Sequence, residues 1–266
     1  MTINLIGTFD WTLVATSYTV SVLGAFIGLV LAGMMTDLRS GMNRSLLVGS
    51  AIAFGGGAIW SMHFIGMLAY QVPLMISYDA TLTAGSMLAA IVMTGVAVSM
   101  VGSQPKLKLG RLIAAGTLMG LGVACMHYLG MLAMHMEAAM HHNPLMVAAS
   151  VVIAIIVSIV GLWIAFTVRR AWQRFVSAFI IGAAVCGMHY SAMFGVSFTA
   201  PVKQVLEQVP NIWVSDFDLI VYTSGTVVMI MFISVFLGAI AVLSRDSQTI
   251  TVPEAWVVVD YTYTGE

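Results

Sequence analysis

A ten-residue motif occurs three times in this chain and limits what the chain can fold into. Trp60-Ser-Met-His-Phe-Ile-Gly-Met-Leu-Ala69 returns as Ala124-Cys-Met-His-Tyr-Leu-Gly-Met-Leu-Ala133 and again as Cys186-Gly-Met-His-Tyr-Ser-Ala-Met-Phe-Gly195. In each copy a Met precedes a His, an aromatic follows it, a small residue sits three places on and a second Met four places on. His63, His127 and His189 are 64 and 62 residues apart. Self-similarity at such a period means one supersecondary unit used repeatedly.

That unit has to live in lipid. The chain is 60% apolar with only 8% charged residues, too few to coat a soluble globule of 266 residues, and its mean hydropathy is +1.00. A membrane helix needs about 20 mostly apolar residues. Seven stretches qualify: about 12–34, 46–70, 81–102, 112–134, 145–168, 175–198 and 219–243. They are continuous and rich in Leu, Ala, Met and Gly, unlike the short alternating strands of a membrane barrel. The expected fold is an all-α membrane protein: three tandem two-helix repeats plus a seventh helix, spanning 1–243, with a short cytoplasmic tail at 244–266. A strand-prone run begins in that tail at Ala255. Small residues such as Gly24 with Gly28, or Gly116 with Gly120, would let helices approach closely.

Basic residues set the orientation. Arg39, Arg44, Lys106, Lys108, Arg111, Arg169, Arg170, Arg174 and Arg245 fall on one side, and only Lys203 falls on the other. The N-terminus is therefore expected outside and the C-terminus in the cytoplasm. Met1 to Asp10 lacks a basic n-region, so no cleavable signal peptide is expected. Asp10, Asp79, Asn143 followed by Pro144, and Asp216 or Asp218 precede the odd helices and read as N-caps. A ligand role is the alternative reading of the carboxylates. A net charge of -1 gives nucleic acid no basic patch to bind.

The motif sits near the outer end of each rising helix. Leu46 to His63 spans about 26 Å of helix, Leu112 to His127 about 22 Å and Phe175 to His189 about 21 Å. In a hydrocarbon core of about 30 Å these positions lie in the outer third. An ionisable side chain at that depth usually faces the bundle interior. Residues four apart share a helix face, which pairs His63 with Met67, His127 with Met131 and His189 with Met193. Met62, Met126 and Met188 are rotated about 100° and flank that face. Gly66, Gly130 and Ala192 leave room for a neighbouring helix or a ligand. Symmetry would bring the three faces to one axis or into equivalent clefts. Imidazole with thioether is a donor set suited to copper, and these nine residues are the candidate metal ligands. No carboxylate lies in the motif, which speaks against Mg or Ca. A hydrogen-bonded packing role for the histidines would leave the same trace, and many of the 21 methionines are core filling.

Trp60, Phe64, Tyr128 and Tyr190 read as interfacial anchors. Cys125 and Cys186 read as buried packing residues. His135, His141 and His142, among Met134, Met136 and Met140, form an outer segment that reads as a solvated loop, with capture of a metal as the alternative.

The threefold Met-His-aromatic motif resembles the MHYT domain, a seven-helix sensor module of the bacterial inner membrane. The resemblance covers roughly residues 8–243. The position where the family name has Thr carries Ile65, Leu129 and Ser191. The resemblance implies copper bound through the Met and His of each motif and sensing of a diatomic gas such as oxygen, carbon monoxide or nitric oxide. It also implies coupling to cyclic-di-GMP synthesis or hydrolysis domains. The chain ends at Glu266 with no such domain, so a stand-alone form, a separate cytoplasmic partner or a shortened chain is expected. The leading expectation is a membrane sensor without enzymatic activity. The rivals are a copper-handling or transport protein and a membrane redox protein.

Overall fold

The structure, a computed structural model, describes residues 2–5, 7–36, 43–74, 76–103, 107–201 and 225–240. Among the described residues, six helices are long and apolar enough to cross a membrane: α1 (Trp11–Thr36), α2 (Arg44–Ala69), α3 (Ala80–Gly102), α4 (Leu109–Leu132), α5 (Pro144–Thr167) and α6 (Ala171–Phe194). The chain is a multi-pass membrane protein. A shorter apolar helix, α7 (Gly225–Ile240), follows. The expected sixth span, 175–198, is shifted: its helix starts four residues earlier, across Trp172 and Arg174, and yields to strand at Val196. The outer parts of the expected seventh span, the tail at 244–266 with its strand-prone run, and Lys203, Glu207, Asp216 and Asp218 lie outside the described residues.

The chain is not purely helical. One end of the bundle carries seven short strands: β1 (Thr2–Leu5), β2 (Thr8–Phe9), β3 (Tyr70–Gln71), β4 (Ser77–Tyr78), β5 (Met134–His135), β6 (Ala139–His142) and β7 (Val196–Pro201). All pairings are antiparallel: β2 with β3, β4 with β5, β6 with β7, and β1 on the other edge of β7. Each repeat thus ties the entry of its descending helix to the exit of its rising helix. Backbone groups released where helices end need partners, and the ladder supplies them. Three equivalent bonds continue it: Asp10 N–H to the Ala69 carbonyl, Asp79 to Ala133 and Asn143 to Gly195, each at 2.8 Å.

The N-cap reading holds at Asp10, Asp79 and Asn143. Asp10 Oδ1 accepts from the backbone N–H of Thr12 and Leu13, Asp79 Oδ1 from Leu82, and Asn143 Oδ1 from Leu145. These oxygens satisfy first-turn donors that the helix itself leaves unpaired.

The six spans form a closed ring in chain order, with α1 packing against both α2 and α6. Small residues permit the close approaches. A side chain at Gly24 would strike the Gly57–Ala58 backbone of α2, and one at Gly120 the Ile155 backbone of α5. Helix α2 departs from its counterparts, with ten residues, Ile52–Ser61, wound as π-helix. Helix α7 packs on the outside of this ring. Its Ile230 meets Gly56 and Gly57 of the π-helical segment, while Phe232 and Phe236 face outward.

Candidate metal centre

The three histidines meet on the axis of the ring. They come from the rising helices α2, α4 and α6, and each is at most 1% exposed. Their Nδ1 atoms converge: His63 to His189 at 3.1 Å, His63 to His127 at 3.1 Å and His127 to His189 at 3.4 Å. The imidazole planes stand 75°, 83° and 80° apart, a propeller around the axis. Among the described residues this is the one cluster of three or more His, Cys, Asp or Glu side chains able to hold a metal ion.

The glycines of the motif explain how the rings fit. The space a Cβ at Gly130 would fill holds His63 Nε2, and the space at Gly66 holds His189 Nε2. Gly66 and Gly130, three places after His63 and His127, therefore make room for the imidazole of another repeat.

Hydrogen bonding among the three rings does not satisfy this arrangement. A neutral imidazole nitrogen either donates one bond or accepts one. Of three converging Nδ1 atoms, one donor and one acceptor can pair while the third is left over. All three Nε2 atoms are also buried without a hydrogen-bond partner. Buried polar groups left this way are rare in folded proteins. A single cation at the centre would take all three Nδ1 lone pairs at once. A tetrahedral ion with metal–nitrogen distances of about 2.0–2.1 Å holds its nitrogens about 3.3–3.4 Å apart. The observed separations, 3.4 Å once and 3.1 Å twice, match that edge or fall about 0.2 Å short of it. The three histidines could hold a metal ion.

The six motif methionines are all buried, in two groups. Met62, Met126 and Met188 belong to the main core of the bundle. Met67, Met131 and Met193 join Leu5, Tyr70, Val196 and Phe198 in a separate apolar cluster under the strands. The triad is thus closed off from the strand end by side chains packed beneath a sheet.

Several sequence readings change here. Trp60 and Phe64 are not interfacial anchors, because both are fully buried between helices. Cys186 is buried, but Cys125 is exposed on the outer face of α4. His135, His141 and His142 do not gather into a site. His141 Nε2 pairs with Thr199 Oγ1 at 3.0 Å, whereas His142 sits against the Tyr128 ring, consistent with alternation along strand β6.

A supporting shell went unread in the sequence. Tyr128 pairs with Ser150 at 2.8 Å and Tyr190 with Ser17 at 2.9 Å. The third position is Ser86, which accepts from the Trp60 indole N–H at 3.1 Å. Ser17, Ser86 and Ser150 each follow their cap residue, Asp10, Asp79 or Asn143, by seven. Aligning the descending helices on those caps would have exposed them. Phe9, Tyr78 and His142, each one residue before a cap, meet Tyr190, Phe64 and Tyr128 edge to face, with ring centroids 5.5, 5.9 and 6.0 Å apart.

Comparison with known proteins agrees with this internal symmetry. Residues 56–115 and 120–178 match MHYT, described as a bacterial signalling protein N terminal repeat. The chain is 40% identical over 199 residues to the bifunctional diguanylate cyclase/cyclic di-GMP phosphodiesterase MucR of Pseudomonas aeruginosa, covering 73% of this chain and 29% of MucR. It is 28% identical over 206 residues to the cyclic di-GMP phosphodiesterase NbdA of the same organism, covering 75% of this chain and 26% of NbdA. It is also 28% identical over 233 residues to the signaling protein YkoW of Bacillus subtilis, covering 84% and 29%. The chain spans less than a third of the length of these relatives. No solved structure matches it.

Proposed function

The chain belongs to the MHYT family of bacterial signalling proteins, and from that premise we propose that it is a membrane sensor whose three histidines hold one copper ion. The convergence of three buried Nδ1 atoms carries this reading. Imidazole nitrogens serve copper, zinc, iron and nickel alike, and a thioether-rich surround favours copper. His63, His127 and His189 supply the ligands, and Met67, Met131 and Met193 are the sulfur donors closest in helical phase. Met62, Met126 and Met188 stand behind them. Bound copper would supply a coordination centre for a diatomic ligand such as oxygen, carbon monoxide or nitric oxide.

The protein's own part is to fix the rings, exclude water and report a change. His63 rides on α2, whose π-helical turn touches α7 through Ile230. A shift of the triad therefore has a packed route to the helix that leads toward the C-terminus. We place the N-terminus outside and the C-terminus in the cytoplasm of a bacterial inner membrane, with 1–243 as the sensor domain. Output then runs through 244–266 to a cytoplasmic signalling partner. The cyclase and phosphodiesterase names belong to much longer relatives, and for this chain we propose no catalysis. Transport fits less well, because the space beyond the triad is lined by apolar side chains with the single hydroxyl of Ser158.

The test is copper stoichiometry in lipid nanodiscs, with zinc as competitor. We expect one copper per chain in the native protein and none in a folded variant with His63, His127 and His189 all changed to Gln. Equal copper in the two, or zinc retained in preference, would sink the copper reading.

A further inference from the structure

Directly beyond the triad, away from the strands, the bundle encloses a cavity of about 30 Å³. Its position follows from helix phase. Ile59, Val123 and Val185 line it, and each lies four residues before a triad histidine, one turn along the same face. Met188, adjacent to His189, lines it as well. The cavity therefore sits inside the ring, one helical turn below the level of the histidines.

The lining is apolar apart from the Ser158 hydroxyl. A water needs about 10–15 Å³ of such space together with two to four polar partners. The volume suffices here and the partners do not. Cavities of this character stay dry and take apolar guests such as xenon.

The cavity also has a side door. Most of its lining residues are buried, but Val157 and Gly161 on α5 are partly exposed. They lie four apart on one face of the least buried of the six spans. Gly161 has no atom within 4 Å of where its Cβ would be. Val157 and Gly161 thus carry the cavity lining out to the exposed face of α5. The opposite approach is closed by Met67, Met131, Met193 and Phe198 under the strands.

We propose that this cavity binds a small, uncharged, apolar molecule of diatomic size, which enters sideways from the bilayer past Gly161 and rests one helical turn from His63, His127 and His189. Such a molecule dissolves in hydrocarbon and would not have to cross the strand cap. The purpose of the site rests on the sensor reading, but its occupancy does not require the metal.

The probe is xenon, applied under pressure to the protein in lipid nanodiscs with carbon-13 methyl-labelled methionine. Met119 and Met188 line the cavity, and Met140 on β6 serves as the remote control. Saturable shifts of the Met119 and Met188 methyl signals, with Met140 still, are expected. Gly161→Leu has open space to occupy, so it should keep the native methionine spectrum and lose the shifts. Gly161→Ala should weaken them. No saturable shift in the native protein overturns the site, and shifts unchanged by Gly161→Leu overturn the lateral route. Copper measured on the same samples separates the two readings. Copper without xenon shifts would sink this proposal alone, and xenon shifts without copper would sink the metal reading alone.

Discussion

The second and third repeats and the first hold the same histidine in different ways. In the later two, the aromatic after the histidine is a tyrosine, and its hydroxyl pairs with Ser150 or Ser17 on the neighbouring descending helix. In the first, Phe64 has no hydroxyl. Trp60, where the other copies carry Ala124 and Cys186, sends its indole N–H to Ser86 and to the Thr83 carbonyl at 3.3 Å. The serine stays in place while its partner moves one turn along the rising helix. A buried hydroxyl has to be paired, and this requirement has outlasted the identity of the residue that meets it. The first repeat is also the one that is π-wound and touches α7. Ser61 Oγ bonds the Gly56 carbonyl five residues back at 2.8 Å, the spacing of that winding. Short π-helical stretches are frequent at functional sites. The difference sets the first repeat apart: it alone is π-wound, and it packs against α7.

The largest test breaks the interlock at Gly66 and Gly130. Gly66→Ala and Gly130→Ala place a methyl where His189 and His63 Nε2 stand. Overpacking of this kind costs about 1–3 kcal/mol, and both variants should lose metal. Ala192→Gly should cost about 1 kcal/mol of helix propensity and keep the metal. Thermal unfolding and metal content check this; metal retained by both glycine variants would show that the rings have slack.

Next in size is the substituted partner. Trp60→Phe removes the bond to Ser86 and leaves a gap, for an expected loss of about 2–3 kcal/mol. Adding Phe64→Tyr in that background recreates the arrangement of the other repeats and should recover part of the loss. A double-mutant cycle reads the coupling, and zero coupling would mean that the two donors are not alternatives. Ser17→Ala and Ser150→Ala should each cost about 1 kcal/mol, as the tyrosine hydroxyl loses its partner.

Much of this was legible in the sequence because it depends on local periodicity. The repeat, the six spans, the caps at Asp10, Asp79 and Asn143 and the inward bias of the histidines follow from composition, helix geometry and charge. The meeting of the three Nδ1 atoms was not legible. It depends on how each rising helix is turned about its axis, and that is set by contacts between repeats, such as His63 on Gly130. The strands escaped because segments such as β2 and β4 are two residues long and show no alternation. Trp60 was misplaced for a different reason. Depth along a helix was readable, but the direction of the side chain was not, and at that level an inward Trp and an interfacial Trp look alike. The π-helical segment had a trace in Gly55, Gly56 and Gly57, yet a glycine run signals loosened winding without naming its kind.

The smallest expected effect separates the third descending helix from the other two. Phe9 and Tyr78 cap their aromatic partners with uncharged rings at neutral pH, whereas the equivalent His142 can titrate against Tyr128. Partial burial lowers the pKa of His142 below 6.5, and His141 beside it lowers it further. A histidine with a depressed folded pKa favours the neutral form in the native state. Between that pKa and 6.5 the unfolded chain therefore binds more protons than the folded one. The stability tied to neutral His142 is present above pH 6.5 and is lost as the pH falls through that window. His142→Phe installs the ring of the first descending helix and should remove this loss. Melting of both proteins at pH 7.5 and at pH 5 measures it, and the native protein should fall further than the variant. An identical drop in the two would mean that His142 does not titrate against the cap, leaving the three aromatic pairs equivalent.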